Sequence, residues 1–97
     1  MRSLYLVHCG FYDRDISDGI FESHTNIFVA ASSFEEARAK AKQEPVFQAK
    51  RMHVDGIQQI MTVQGWTVSL APSLQDGDRT LLISNNHRDL APKVITE

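Results

Sequence analysis

Glu22-Ser-His24-Thr-Asn26-Ile-Phe28-Val-Ala-Ala31-Ser-Ser33-Phe34-Glu-Glu36-Ala37-Arg-Ala-Lys-Ala41-Lys-Gln43-Glu44-Pro45 is the stretch on which the fold turns. Its first part, 22–31, is rich in strand formers, most clearly over 25–30. A helix start follows. The Ser33 hydroxyl can accept the backbone N–H of Glu36, and the Glu36 carboxylate can reach back to the Ser33 N–H. Phe34 to Gln43 is then made of good helix formers, with Phe34, Ala37 and Ala41 on one face. The small alanines let that helix lie close to a sheet. Pro45 disfavours helical geometry at Glu44 and sets the end.

Working outward, residues 4–9, Leu-Tyr-Leu-Val-His-Cys, form a strand ending at Gly10. Residues 11–19 are polar and turn-prone and are expected to be a long loop, with the strands on either side antiparallel. On the other side, 46–51 is a connector with room for one helical turn. Residues 52–63 and 66–71 suit a hairpin around Gln64-Gly65. Pairing Val63 with Trp66 sets Met61 opposite Val68 and Gln59 opposite Leu70, while Thr62 meets Thr67 and Ile60 meets Ser69. Upstream the apolar phase changes, from Met52 and Val54 to Ile57, and a bulge at Gly56 reconciles the two runs. Asp76-Gly77-Asp78 is a turn, 80–84 a fifth short strand, and 85–97 an irregular tail.

The expected fold is therefore α+β, in the order β-β-α-β-β, with an antiparallel or mixed sheet and one main helix on one face. Its interior would be filled by Phe28, Met61, Val63, Trp66 and Val68. One helix cannot cover both faces of such a sheet, so the second face is wet or covered by another chain.

Composition narrows the function. The 97 residues make one domain, 1–97, with 42% apolar and 23% charged residues and a net charge of −2. Arg38, Lys40, Lys42, Lys50 and Arg51 are the nearest approach to a basic cluster, but Glu35, Glu36 and Glu44 lie among them. They read as a solvated helix face, and a nucleic-acid partner is not expected. No apolar run approaches the ~18 residues that cross a bilayer, and the start is too short in apolar residues for a secretory signal, so a cytoplasmic protein without a membrane partner is expected. The single cysteine, Cys9, has no partner for an internal disulfide and reads as a buried, reduced, inert thiol. Its neighbour His8 would point to the opposite face of the strand.

The chemistry-bearing residues are few. The histidines are His8, His24, His53 and His87. His53 and Asp55 lie two apart on a strand and so share a face; Glu22 and His24 repeat that spacing. His24, His53 and Asp55 are a candidate three-ligand metal set with a position open to water. The structural reading is preferred over it, with His24 capping or hydrogen-bonding at a strand end and Asp55 orienting His53 or the turn at Gly56. An acid–base pair of Asp55 and His53 is a third reading. No phosphate-binding glycine loop, nucleophile elbow or zinc-finger spacing occurs, so no cofactor is called for. Phe11, Tyr12 and Phe21 flank the polar loop, and Phe11, Tyr12, Glu22 and His24 are candidates for a ligand-binding edge.

Three stretches together resemble the bacterial family called domain of unknown function 1543. They are Leu4-Tyr-Leu-Val-His-Cys-Gly10-Phe-Tyr12; Glu22-x-His24-x-Asn26-x-Phe28-Val-Ala30 followed by Ser33 and Glu36-Ala-x-Ala; and His53-x-Asp55 before the hairpin. The likeness covers about 4–71 and fades after about 72. It implies an α+β domain, with no established activity or cofactor. Members of the family often look like two related halves in one chain, and this chain has room for one, which implies a homodimer. The leading expectation is a non-catalytic, self-associating domain that binds a small ligand or partner protein. The alternative is a small metal-dependent or acid–base enzyme using His24, His53 and Asp55.

Overall fold

The central strand of the sheet is β1, Ser3–Tyr12, flanked by β2, Glu22–Ala31, and β3, His53–Ile60, in the order β2-β1-β3. Both pairings are antiparallel. The computed structural model describes residues 1–87. Between β1 and β2 lies a short helix α1, Arg14–Ser17; between β2 and β3 lie α2, Phe34–Gln43, and α3, Pro45–Ala49. The domain is α+β with an antiparallel sheet, as the pattern of residues implies.

Residues alternate across β1. Tyr5, Val7, Cys9 and Phe11 are buried on one face, and Val29 and Ala31 of β2, Ala37 and Ala41 of α2, Phe47 of α3 and Met52 join them in one core. Ile27, Val54 and Ile57 pack against its rim. A side chain such as Val7, fully buried, contributes about 1.5–3 kcal/mol. Ala37 and Ala41 have no exposed surface, because a methyl group is all that fits between the helix axis and the strands. Phe34 stays half exposed and sets its ring edge-on to Tyr5, with centroids 5.2 Å apart.

The start of α2 follows the capping reading in one half and departs in the other. Ser33 Oγ accepts the Glu36 N–H at 3.1 Å. The return bond runs to the Ser32 N–H instead of the Ser33 N–H, at 3.2 Å from Glu36 Oε2. Lys40, one turn on, pairs with Glu36 at 3.1 Å and donates to the Ala30 carbonyl of β2 at 2.7 Å. These contacts hold the Glu36 carboxyl below the usual glutamate range, Lys40 contributing most and the Ser32 N–H next. Pro45 does stop α2, and it opens α3 as its first residue.

The C-terminal third departs from expectation. The Gln64-Gly65 turn forms, with φ of 51° and 86°, and Val63 pairs with Trp66 and Thr62 with Thr67. These short strands, β4 (Thr62–Val63) and β5 (Trp66–Thr67), make a separate two-stranded ribbon and do not extend the main sheet. The expected interior is therefore corrected. Trp66 is 79% exposed, Met61 66%, Val63 51% and Phe28 40%, and Val68 is only half-buried. The expected register holds at the turn end, but Gln59 and Ile60 pair with Tyr5 and Leu4 of β1 and not with Leu70 and Ser69, because β3 joins the main sheet, whose one covered face α2 and α3 already fill. No strand forms over 80–84, where Leu82 and Ile83 stand in solvent. The expected loop 11–19 is shorter than foreseen, since β1 continues to Tyr12 and Asp13 caps α1 by accepting the Asp15 N–H at 2.9 Å. The expected irregular tail, 85–97, lies outside the described residues from residue 88 on. Among the described residues no helix is long and apolar enough to cross a membrane.

The expected bulge is present in β3, one residue before Gly56. Val54 pairs with Cys9 and Gly56 with His8, so Asp55 is the extra residue. This insertion lets Val54 and Ile57, three apart, both reach the core.

Candidate functional site

The other face of the sheet carries Leu4, Leu6, His8, Gly10 and Tyr12 of β1, by simple alternation. The register places His24 of β2 and His53 of β3 on either side of Gly10, with Asn26 and Gly56 on either side of His8. Neither helix of the core covers this face. Its Leu4 end is apolar, with Phe28 and Ile60 as neighbours, and its Gly10 end is polar.

At the polar end four side chains close into a ring. His24 Nε2 lies 3.0 Å from Glu22 Oε1 and 3.2 Å from Asp55 Oδ2. His53 Nε2 lies 2.9 Å from the same Glu22 oxygen and 3.1 Å from Asp55 Oδ1. The side chains are 31–47% exposed, so the ring opens to solvent. Gly10 is its floor. A Cβ there would overlap Glu22 Oε1 and stand 2.6 Å from His53 Nε2 and 2.8 Å from Asp55 Oδ2. Any larger residue would push the ring apart.

His8 adjoins the ring. Its imidazole stacks on that of His24, with centroids 4.9 Å apart and planes within 4°. Its Nδ1–H donates to Asn26 Oδ1 at 2.8 Å, which leaves the lone pair on Nε2.

Hydrogen bonding alone serves this ring poorly. A neutral imidazole carries one N–H, yet each Nε2 here faces two carboxylate oxygens. Exposed ion pairs of this kind add at most about 1 kcal/mol to stability. A divalent cation would serve such donor atoms better. Adjacent ligand atoms about 2.1 Å from one octahedral ion stand about 3 Å apart, as neighbouring atoms of the ring do.

The fold thus brings together His24, His53 and Asp55, the three expected from spacing, and adds Glu22. Of the candidate ligand edge, Tyr12 lies at the end of the open-face row, opposite Glu22. Phe11 does not belong to it: the ring is buried on the helix side, with Lys50 Nζ 5.3 Å from its centroid. His8, Gly10 and Asn26 are the residues that spacing alone did not single out. The signal for them lies in the β1–β2 register, which aligns Gly10 with His24 and His8 with Asn26.

Cys9 takes no part. It is buried on the opposite face, its S–H directed at the Val7 carbonyl at 3.7 Å. Burial pushes its thiol above the ordinary cysteine value, and the Asp55 charge adds to the shift. An inert thiol was expected, and its environment keeps it protonated.

Neither a curated protein nor a solved structure gives a significant match. The family model described as Domain of Unknown Function (DUF1543) matches residues 19–70, just over half of the chain. That span includes β2, both core helices, β3 and the hairpin, and with them all four ring residues, while His8 and Gly10 of β1 lie before it. The chain belongs to the Domain of Unknown Function (DUF1543) family.

Proposed function

We propose that this domain binds a divalent transition-metal ion on the open face of its sheet, through Glu22, His24, His53 and Asp55. The observation that carries the reading is the ring of mixed nitrogen and oxygen donors, 2.9–3.2 Å apart, standing over a glycine that leaves room for nothing else. Imidazole with carboxylate suits Zn²⁺, Fe²⁺ or Mn²⁺ better than Ca²⁺, which prefers oxygen alone. The solvent side of the ring leaves coordination positions for water or a small anionic ligand. This joins the two sequence expectations, a ligand-binding domain and a metal-dependent one, at one place.

The test is equilibrium dialysis of chelator-stripped protein against Zn²⁺ and Mn²⁺, with metal content read by mass spectrometry. Stoichiometric uptake that His53→Ala lowers by one ion per chain supports the reading. No uptake by the wild-type chain at micromolar metal removes it.

Self-association is a second reading, and a specific observation favours it. Met61, Val63 and Trp66 are exposed together on one hairpin, and Phe28 is exposed at the apolar end of the open face. A second copy's hairpin would bury both patches and form a cytoplasmic homodimer. Sedimentation velocity at micromolar concentration should then show a dimer that Trp66→Ser weakens. A monomer at all concentrations removes this reading and leaves the metal reading intact.

A further inference from the structure

We propose that the open face holds two metal ions bridged by Asp55; this rests on the metal reading above and extends it. The potential ligand atoms fall into two triads, His8-His24-Asp55 and Glu22-His53-Asp55, each with its atoms within 4.8 Å of one another. Asp55 is the residue common to both. Its two oxygens are divided between them: Oδ2 faces His24 at 3.2 Å and Oδ1 faces His53 at 3.1 Å. A carboxylate that turns one oxygen to each of two donor sets is arranged as a bridge. Paired ions in such sites stand about 3.5–4 Å apart.

Local structure supports each part of the arrangement. Asp55 is the bulge residue, so it is free of a direct cross-strand partner in β1. His8 is held by Asn26 through Nδ1, as metal-binding histidines commonly are held through the nitrogen that does not ligate. The stack of His8 on His24 keeps both rings directed to the same side of the sheet. The first triad, two histidines and a carboxylate, is a set that suits Fe²⁺ or Mn²⁺ with positions left open.

The charge balance indicates what else binds. Two divalent ions against the two carboxylates and three neutral imidazoles leave a net positive site. The side chains supply fewer donor atoms than the roughly eight that two four-coordinate ions require. The remaining positions suit hydroxide or an oxyanion such as phosphate, placed across both ions.

The experiment is Mn²⁺ titration of chelator-stripped full chain, followed by dialysis, metal analysis and electron paramagnetic resonance. The wild type should retain two ions per chain with a spin-coupled signal. His8→Ala and His53→Ala should each retain one ion, with the six-line signal of isolated Mn²⁺, and Asp55→Ala should lose at least tenfold in affinity at both positions. Circular dichroism of each variant checks that the fold persists. One ion per wild-type chain, or two without coupling, overturns the bridged pair while sparing the single-ion reading. Two ions retained in His8→Ala also overturns it, and no ion in the wild type overturns both readings.

Discussion

The two faces of β1 differ by one residue of phase and by almost everything else. Tyr5, Val7, Cys9 and Phe11 are each 7% exposed or less, under two helices. Leu4, Leu6, His8 and Gly10, interleaved with them, face outward, and their polar end meets a ring of histidines and carboxylates. Stability resides on the first face because apolar area leaves water there. Chemistry is available on the second because its groups are exposed, mutually close and worth little to folding. The strand that carries the core also aligns the site, so the site's geometry is set by the central strand of the sheet.

The contrast is easiest to break on the covered face. Val7→Asp places an unpaired carboxylate where no exposed surface exists and should cost more than about 4 kcal/mol, enough to unfold the domain in urea titrations. His8→Asp, one residue along on the open face, should change stability by less than about 0.5 kcal/mol. Equal effects at the two positions would remove the division.

Gly10→Val sharpens it from the other side. The added side chain displaces Glu22, His53 and Asp55, which are free to swing into solvent. Metal affinity should fall at least tenfold, while stability changes by no more than about 1 kcal/mol. A variant that binds Mn²⁺ as the wild type does would show that the ring is not the site.

Smaller effects lie at the helix that covers the core. Ser33→Ala should cost about 1 kcal/mol by thermal or chemical denaturation, through loss of the bond to the Glu36 N–H. Glu36 sets a weaker pH dependence. Its carboxyl titrates below the ordinary glutamate value, so its stabilising effect is present above that value and is lost as pH falls through the lowered one. Glu36→Gln should flatten that part of the acid limb and leave stability near neutral pH only slightly reduced.

How much of this was legible depends on the range of the forces involved. The capped helix, the Pro45 stop, the Gln64-Gly65 turn and the strand phase change all follow from neighbours within a few residues, and all are present. Trp66 was misplaced because local alternation shows only that a hairpin has a more apolar side. Whether anything packs on that side depends on where the helices have already gone. The ring was half legible for a related reason. Spacing along β2 and β3 pairs Glu22 with His24 and His53 with Asp55. Bringing the pairs together takes a third strand between them with a glycine at one position, which only the register of both pairings reveals.

The bulge at Asp55 gives this strand one residue more than plain alternation needs. Across an unbroken strand Val54 and Ile57, three apart, would look in opposite directions. Losing Gly56 alone would set them two apart on one side with Asp55 between them on the other, whereas losing Asp55 would remove the ring's carboxylate. In the natural variation of this domain, a single-residue deletion in β3 should therefore fall at Gly56 and spare Asp55.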